Sequence, residues 1–125
     1  RTAVAECRLA LGRPRDALAL VEEELRLARV WNTPRTVGRA LRVLGSATGG
    51  RHGLDLTEEA VRVLREAPVD TGLELTEALL ARGRQLIDAG ERVRARALLR
   101  EAVERAEGQG ALRLRALAQA ALRGG

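Results

Sequence analysis

Several residue types are missing from this sequence or occur only once. It has no Lys, Met, Phe or Tyr, and it has one Cys, one His and one Trp in 125 residues. A single histidine excludes a His-based catalytic triad and every multi-histidine metal site, and a single cysteine excludes an intrachain disulfide. No apolar run approaches the ~20 residues that a membrane-spanning helix needs. We therefore expect a cytoplasmic protein that is not an enzyme and has no catalytic residue, metal or cofactor.

The residues that are present are mainly Ala, Leu, Gly and Arg, a bias that resembles proteins from high-GC bacterial genomes. The apolar side chains are small or branched, which suits closely packed helices. The formal net charge is +5, but Glu is scattered among the Arg, so we favour a mixed, solvated surface over a surface for an acidic partner. The chain begins with Arg and shows no leader, so we expect an excerpt of a larger protein.

Helical periodicity covers nearly the whole chain and predicts seven helices and no strand. Thr33 before Pro34 is interpreted as an N-cap and first-turn pair, and Thr71 with Glu74 as a capping box. Short connections between consecutive helices predict antiparallel neighbours. The expected hairpins cover about residues 2–29, 34–66 and 71–107, with a terminal helix at about 110–123 and a single domain over 1–125.

Small residues recur where the two helices of a hairpin would cross closely. Ala5, Gly45 and Gly83 mark the crossing in the first helices, where a larger side chain would hold the backbones apart, and Gly12 and Gly90 follow Ala5 and Gly83 by seven residues, at predicted left-handed caps. The partner positions are Ala17, Ala60, Ala95 and Ala102. Gly45 and Gly83 are 38 residues apart and Ala60 and Ala102 are 42 apart, a period typical of an array of helix pairs.

This spacing resembles the tetratricopeptide repeat, which has a small residue, Gly seven later, Ala five beyond that and Ala again seven further on. Gly83, Gly90, Ala95 and Ala102 fit the whole series, whereas the first hairpin departs at Glu24. The middle hairpin departs further because its loop is shortened after Gly45 and a shorter fourth helix follows. The resemblance implies an all-α, right-handed solenoid of antiparallel helix hairpins.

A second resemblance covers almost the full chain. The segment WNTPRTVGRALRVLG at residues 31–45 is similar to one in large actinobacterial regulators of the LuxR type that carry an ATPase domain, and residues 53–61, 97–103 and 110–123 are similar in the same way. In that family, helical repeats lie between a nucleotide-binding domain and a DNA-binding helix-turn-helix. The resemblance implies that DNA binding and ATP hydrolysis belong to domains outside these residues.

Individual residues offer little chemistry. His52 lies in a glycine-flanked stretch and is interpreted as an exposed turn residue, and Cys7 as a small apolar core residue. Gly49, Gly50 and Gly53 do not form a phosphate loop, because no Lys follows and no strand precedes. Three Glu–Arg pairs four residues apart are interpreted as exposed helix-stabilising pairs: Glu22 with Arg26, Glu58 with Arg62, and Glu101 with Arg105.

Two surfaces are candidates for binding. The first helices would line a concave face, to which helix position assigns Arg8, Arg39, Arg42, Arg82 and Gln85. On another face, Arg92, Arg96 and Arg100 recur every four residues as a basic stripe, for which a solvated face is favoured over a phosphate-binding one because aromatic stacking partners are missing. Trp31 could anchor a partner, but the favoured interpretation is that it fills the junction between the first two hairpins.

The sequence thus predicts an interaction and signal-relay scaffold in a LuxR-type transcriptional regulator. Its partners would be a protein, a peptide or other domains of the same chain, with DNA bound only through a domain outside these residues. Two alternatives stay open: a free-standing adaptor that binds a peptide, and an Arg-driven nucleic-acid binder. The terminal helix is apolar at Leu112, Leu114, Leu117, Ala118, Ala121 and Leu122, so self-association through it is also expected.

Overall fold

The computed structural model describes the backbone of residues 14–124 and the side chains of residues 15–124. This part of the chain is all-α, as predicted, and contains six helices and no strand. The helices are α1 (Pro14–Val30), α2 (Pro34–Thr48), α3 (Gly50–Glu66), α4 (Gly72–Asp88), α5 (Arg92–Gln109) and α6 (Leu112–Gly124). The predicted first helix, with Ala5, Cys7, Arg8 and Gly12, lies outside the described residues.

Thr33 and Thr71 occupy the predicted N-cap positions of α2 and α4, but neither side chain makes the cap hydrogen bond. Thr33 does precede Pro34 at the start of α2, but its side chain makes no cap hydrogen bond, and its Oγ1 donates to the Ala28 carbonyl oxygen at 3.2 Å. Thr71 likewise donates from Oγ1 to the Leu64 carbonyl oxygen, at 2.6 Å, and makes no cap bond to α4. In both places the hydroxyl binds a carbonyl near the end of an earlier helix, which stabilises the connection between hairpins.

The connection between α2 and α3 is a single residue, Gly49. Gly49 has φ 68° and ψ −174°, a conformation that is essentially restricted to glycine. Because α3 begins at Gly50, His52 is an exposed residue in the first helical turn and not in a loop. The prediction of a shorter helix here is also wrong, since α3 has 17 residues, as many as α4.

Glycine contacts show how the helices of each hairpin run. A Cβ at Gly38, early in α2, would collide with Leu64 near the end of α3, whereas one at Gly45, late in α2, would lie 2.7 Å from Thr57 Cγ2. The two helices are therefore antiparallel. Gly83 of α4 similarly faces Leu99 of α5, with an added Cβ 2.6 Å from Leu99 Cδ2.

The first helices of the hairpins also pack against one another, since α2 contacts α4 and α4 contacts α6. The core between the helices consists of large and small apolar side chains. Leu41, Leu64, Leu79, Leu86 and Leu99 are its most buried large members, and the predicted small positions Ala17, Ala60, Ala95 and Ala102 have 0% exposure. In α5 the buried leucine is Leu99, whereas the predicted Leu98 is half-buried. Among residues 14–124, no helix has the length and apolarity to cross a bilayer.

Candidate functional site: a groove across α2, α4 and α6

A groove runs across the three first helices, where α2, α4 and α6 lie next to one another. Its volume is about 380 Å³. Arginines, carboxylates and apolar side chains all line it, among them Arg42, Glu77, Arg84, Asp88, Arg113 and Leu117. The packing of α2 on α4 and of α4 on α6 sets the positions of these side chains, which come from three separate stretches of sequence.

The groove combines positive charge with apolar surface. Arg84 of α4 and Arg113 of α6 are exposed, and neither forms an ion pair within residues 15–124. Arg42 of α2 lies half-buried, with its Nη2 4.0 Å from Glu77 Oε2. Leu117 is half-buried at the α6 side. This arrangement can hold an extended segment that carries both acidic and apolar side chains.

Arg82, a predicted surface residue, is buried at 6% exposure. Its Nη1 donates to the Leu54 carbonyl oxygen of α3 at 2.7 Å, and its Nη2 lies 3.4 Å from Glu58 Oε2. Burial lowers the pKa of the Arg82 guanidinium below its ordinary value. The assignment of Arg82 to a partner surface is therefore wrong, because its side chain fastens α4 to α3.

Gln85 lies at the base of the groove, but its amide is already used by the α2–α3 hairpin. Its Nε2 donates to the Gly45 carbonyl oxygen at 2.9 Å, and its Oε1 accepts from Thr57 Oγ1 at 2.7 Å. The closely crossing helices α2 and α3 are thereby bonded to α4. Gln85 is a positioning residue for the groove more than a contact within it.

The other predicted surface residues are divided among several places. Arg39 is exposed on α2, one turn before Arg42, whereas Arg8 lies outside the described residues. Trp31 is 76% exposed, so the interpretation that it fills the junction between hairpins is wrong. Its neighbour Val30 is 68% exposed, and the two form a small apolar projection at the end of α1.

Arg84 and Arg113 line the groove but are not among the residues predicted from the sequence. Arg84 comes two residues after Arg82 and so lies on a different side of α4. A small error in the predicted rotation of the helix therefore exchanges which of the two arginines is assigned to the surface. The signal that could have found it is the spacing from Glu77 through Leu80 and Ala81 to Arg84, which places these residues on one face.

The basic stripe Arg92, Arg96 and Arg100 is exposed along α5 and does not line the groove. No ion pair of these three arginines occurs in the described part of the chain. Of the three predicted Glu–Arg pairs, only Glu101 with Arg105 is confirmed, with Arg105 Nε 2.9 Å from Glu101 Oε2. The other two arginines lie closest to glutamates that were not predicted as their partners. Arg26 pairs with Glu23 at 2.7 Å, and Arg62 lies 4.0 Å from Glu59 and from Glu66.

Glu101 is also held from the neighbouring hairpin. Arg65 of α3 donates to both Glu101 oxygens, at 2.7 and 2.6 Å. The hydrogen bond from Arg65, with that from Arg105, lowers the pKa of the Glu101 carboxyl from 4.5 to about 2. This ion pair does not line the groove, and it links α3 to α5 through their side chains.

A larger opening of about 720 Å³ lies where the connections after α2 and α4 meet. Its lining includes both connections, with Gly49 on one side and Ala89 and Glu91 on the other, and residues at the ends of the adjoining helices. His52 does not line it. The groove is the better candidate site because it brings Leu80, Leu114 and Leu117 together with charged side chains, which the larger opening does not.

The described residues contain no group of three or more His, Cys, Asp or Glu side chains placed to bind a metal ion. Comparison of the chain with protein-family models, with curated proteins and with solved structures gives no match.

Proposed function

We propose that this chain is a non-catalytic interaction scaffold, a tetratricopeptide-like right-handed solenoid that binds a protein or peptide segment in the groove across α2, α4 and α6. The observation that carries the proposal is the groove itself, where exposed Arg84 and Arg113 stand beside half-buried Leu117. Support for the repeat comes from the packing of first helix on first helix and from the buried small residues at Gly83, Ala95 and Ala102.

A peptide-display selection on the chain tests the groove. Arg84→Glu/Arg113→Glu reverses the two groove arginines that form no ion pair within residues 15–124, and Arg96→Glu/Arg100→Glu is a matched control on exposed positions of α5 that do not line the groove. We expect selected peptides to contain acidic and apolar residues, to shift the NMR signals of α4 and α6, and to lose binding to the groove variant only. Selected peptides that bind both variants as well as the native chain would refute the groove as the binding site.

The wider setting that we propose is a cytoplasmic LuxR-type transcriptional regulator in which this region relays signals between domains. The resemblance of residues 31–45 to a segment of such regulators supports the proposal. DNA binding and ATPase activity would belong to other domains. The alternative is a free-standing peptide-binding adaptor. The coding sequence that follows Gly125 separates the two, since the lack of a helix-turn-helix pattern in about the next hundred residues would exclude the regulator.

Direct nucleic-acid binding is a second candidate, favoured by one observation. Residues 92–124 contain eight arginines and three glutamates, a net charge of +5, whereas residues 14–91 contain eleven arginines and thirteen acidic residues, a net charge of −2. The basic excess is therefore concentrated on α5 and α6. A mobility-shift titration at two salt concentrations tests this candidate, and tight binding at physiological salt would favour it over the scaffold.

Self-association through α6 is a further part of the proposal. Leu112 is 72% exposed, and Leu114, Leu117 and Leu122 are only half-buried by α4 and α5. Light scattering over a range of concentrations measures it, and a strict monomer at every concentration would contradict it.

A further inference from the structure

Ion pairs join α1 to α3 and α3 to α5, the helices that we call the second helices of the hairpins. Arg29 of α1 donates to Glu59 of α3 at 2.8 Å, and Arg65 of α3 donates to Glu101 of α5 at 2.6 Å. In both pairs the arginine belongs to the earlier helix and the glutamate to the later one. We call the side of α3 and α5 that faces the earlier helix the leading edge, and the side of α1 and α3 that faces the later helix the trailing edge. The equivalent positions of α1 and α5 are given the same names.

The leading edges repeat the same two residues, a leucine followed three positions later by a glutamate. The pairs are Leu20 with Glu23, Leu56 with Glu59, and Leu98 with Glu101. All six residues are half-buried. The leading edge is therefore a constant feature of the stack, and any change in how helices stack must come from the trailing edge.

The trailing edges are alike in α1 and α3 and different in α5. In order along the helix, α1 has Leu18, Glu22, Leu25 and Arg29, α3 has Leu54, Glu58, Val61 and Arg65, and α5 has Arg96, Arg100, Val103 and Glu107. The steps of four, three and four residues are the same each time, so the positions share one helix face. On α5, Arg96 stands in place of the leucine, Arg100 in place of the glutamate and Glu107 in place of the arginine.

These replacements change what can pack on α5. Leu18 and Leu54 are half-buried, whereas Arg96 at the equivalent position is exposed. A further helix with the usual leading edge would bring its glutamate to Glu107, where α1 and α3 offer Arg29 and Arg65. Like charges in direct contact are destabilising, so the trailing edge of α5 disfavours another helix of this kind. It disfavours a second copy of this chain for the same reason, because Glu23 of that copy would face Glu107.

We propose that the trailing edge of α5 is a docking site for an acidic helix of a different protein. That helix would carry two carboxylates opposite Arg96 and Arg100 and a basic residue opposite Glu107. Arg92, one turn earlier, extends the basic part of the edge, and the half-buried Val103 supplies an apolar contact. The contacts would be ion pairs of the kind formed by Arg29 with Glu59 and by Arg65 with Glu101. The order of charges along the docked helix would differ from that of α3 and α5.

Protein is favoured over nucleic acid as the occupant because the edge is not uniformly basic. Glu104 and Glu107 follow Arg100 within two turns and would repel a continuing phosphate backbone. An acidic helix with a basic residue at its far end matches both halves of the edge.

A library of single-helix peptides with one randomised face provides the test, with selection on the native chain. We expect enriched peptides to carry Asp or Glu at two positions four apart and Lys or Arg seven positions beyond. Their fluorescence anisotropy should show at least about tenfold weaker binding to Arg96→Glu/Arg100→Glu. Circular dichroism confirms that this surface variant stays folded.

The groove variant Arg84→Glu/Arg113→Glu is the matched control, since it also reverses two exposed arginines. It should bind the enriched helices as the native chain does, so that failure of the groove and failure of the edge are seen separately. Three results would overturn the proposal: no acidic enrichment, equal binding to the edge variant, or a DNA duplex that binds more tightly and depends on the same arginines. Self-association that the edge variant abolishes would overturn it in favour of a second copy.

Discussion

The hairpins α2–α3 and α4–α5 have helices of similar length but cross in different ways. In α2–α3, glycine faces glycine: an added Cβ at Gly45 would lie 2.9 Å from the Gly53 carbonyl oxygen, and one at Gly53 would lie 2.6 Å from that of Gly45. In α4–α5, glycine faces a side chain, since a Cβ at Gly83 would meet Leu99 Cδ2 and Cγ. Backbone limits the first crossing, and a leucine side chain fills the second.

The connections between the two helices of each hairpin also differ, in their length. One residue, Gly49, joins α2 to α3, whereas Ala89, Gly90 and Glu91 join α4 to α5. A one-residue connection brings the helix ends so close that only glycines fit between them. A three-residue connection leaves room for a leucine, and it is in this hairpin that the tetratricopeptide-like spacing is complete.

The largest difference between the hairpins should appear when each crossing glycine is changed to alanine. Gly45→Ala forces backbone apart, which we expect to cost about 3 kcal/mol, offset by about 1 kcal/mol of helix propensity. Gly83→Ala displaces only the Leu99 side chain, so its net effect should stay within about 1 kcal/mol of zero. Urea unfolding measures both.

A double variant sharpens this comparison. Thr57→Ala should recover little of the Gly45→Ala loss, because the Gly53 carbonyl oxygen stays in place. Equal free energies of unfolding for Gly45→Ala and Gly83→Ala would show that the two crossings do not differ as described.

A smaller difference is expected between the connecting glycines. A Cβ at Gly49 or at Gly90 meets no atom within 4 Å, so only backbone conformation is tested. Gly49→Ala should cost about 1 to 3 kcal/mol because its φ and ψ suit glycine alone. Gly90, at φ 81°, is left-handed, and Gly90→Ala should cost about 1 kcal/mol. A larger loss for Gly90→Ala in thermal unfolding would contradict this order.

The smallest effect concerns the ion pair that joins the two hairpins, and it depends on pH. The pKa of Glu101 is about 2 in the folded chain against an ordinary 4.5, so its stabilising contribution is present above pH 4.5 and is lost as the pH falls toward 2. Glu101→Gln should therefore lower stability by about 1 kcal/mol near neutral pH and by nothing near pH 2. Thermal unfolding across this range checks it.

Glu104→Gln is the control for that measurement, because Glu104 is exposed on the same helix and forms no ion pair within the described residues. It should not reproduce the loss seen near neutral pH. A pH-independent difference between Glu101→Gln and the native chain would mean that the carboxylate of Glu101 is not what stabilises this junction.

Helix type and most helix ends could be predicted from the sequence, because Pro34, Gly90 and Gly110 end or begin helices through local backbone preferences. The hydroxyls of Thr33 and Thr71 could not, since each prefers a carbonyl that the previous helix brings close. Arg82 was misplaced for a similar reason: its acceptor, the Leu54 carbonyl oxygen, belongs to another hairpin. Short-range patterns thus predict where helices lie but not which neighbour a polar side chain meets.

The candidate site was predicted less well than the fold. Arg42 lines the groove together with Arg84 and Arg113, whose proximity depends on how α4 and α6 are rotated against each other and is not visible in the sequence. The concentration of arginine after residue 91 is a property of the sequence itself and does not depend on the fold. The contact of Gly38 with Leu64 is also accessible from the sequence, since Gly38 lies seven residues before Gly45 on the same face of α2.

The affinity of a peptide from the peptide-display selection, not from the single-helix library, for three forms of the chain tests the proposed scaffold most directly. The forms are the native chain, the groove variant Arg84→Glu/Arg113→Glu and the edge variant Arg96→Glu/Arg100→Glu. If the groove is the binding site, titration calorimetry should show at least about tenfold weaker binding to the groove variant and unchanged binding to the edge variant. Unchanged binding to the groove variant would contradict the account.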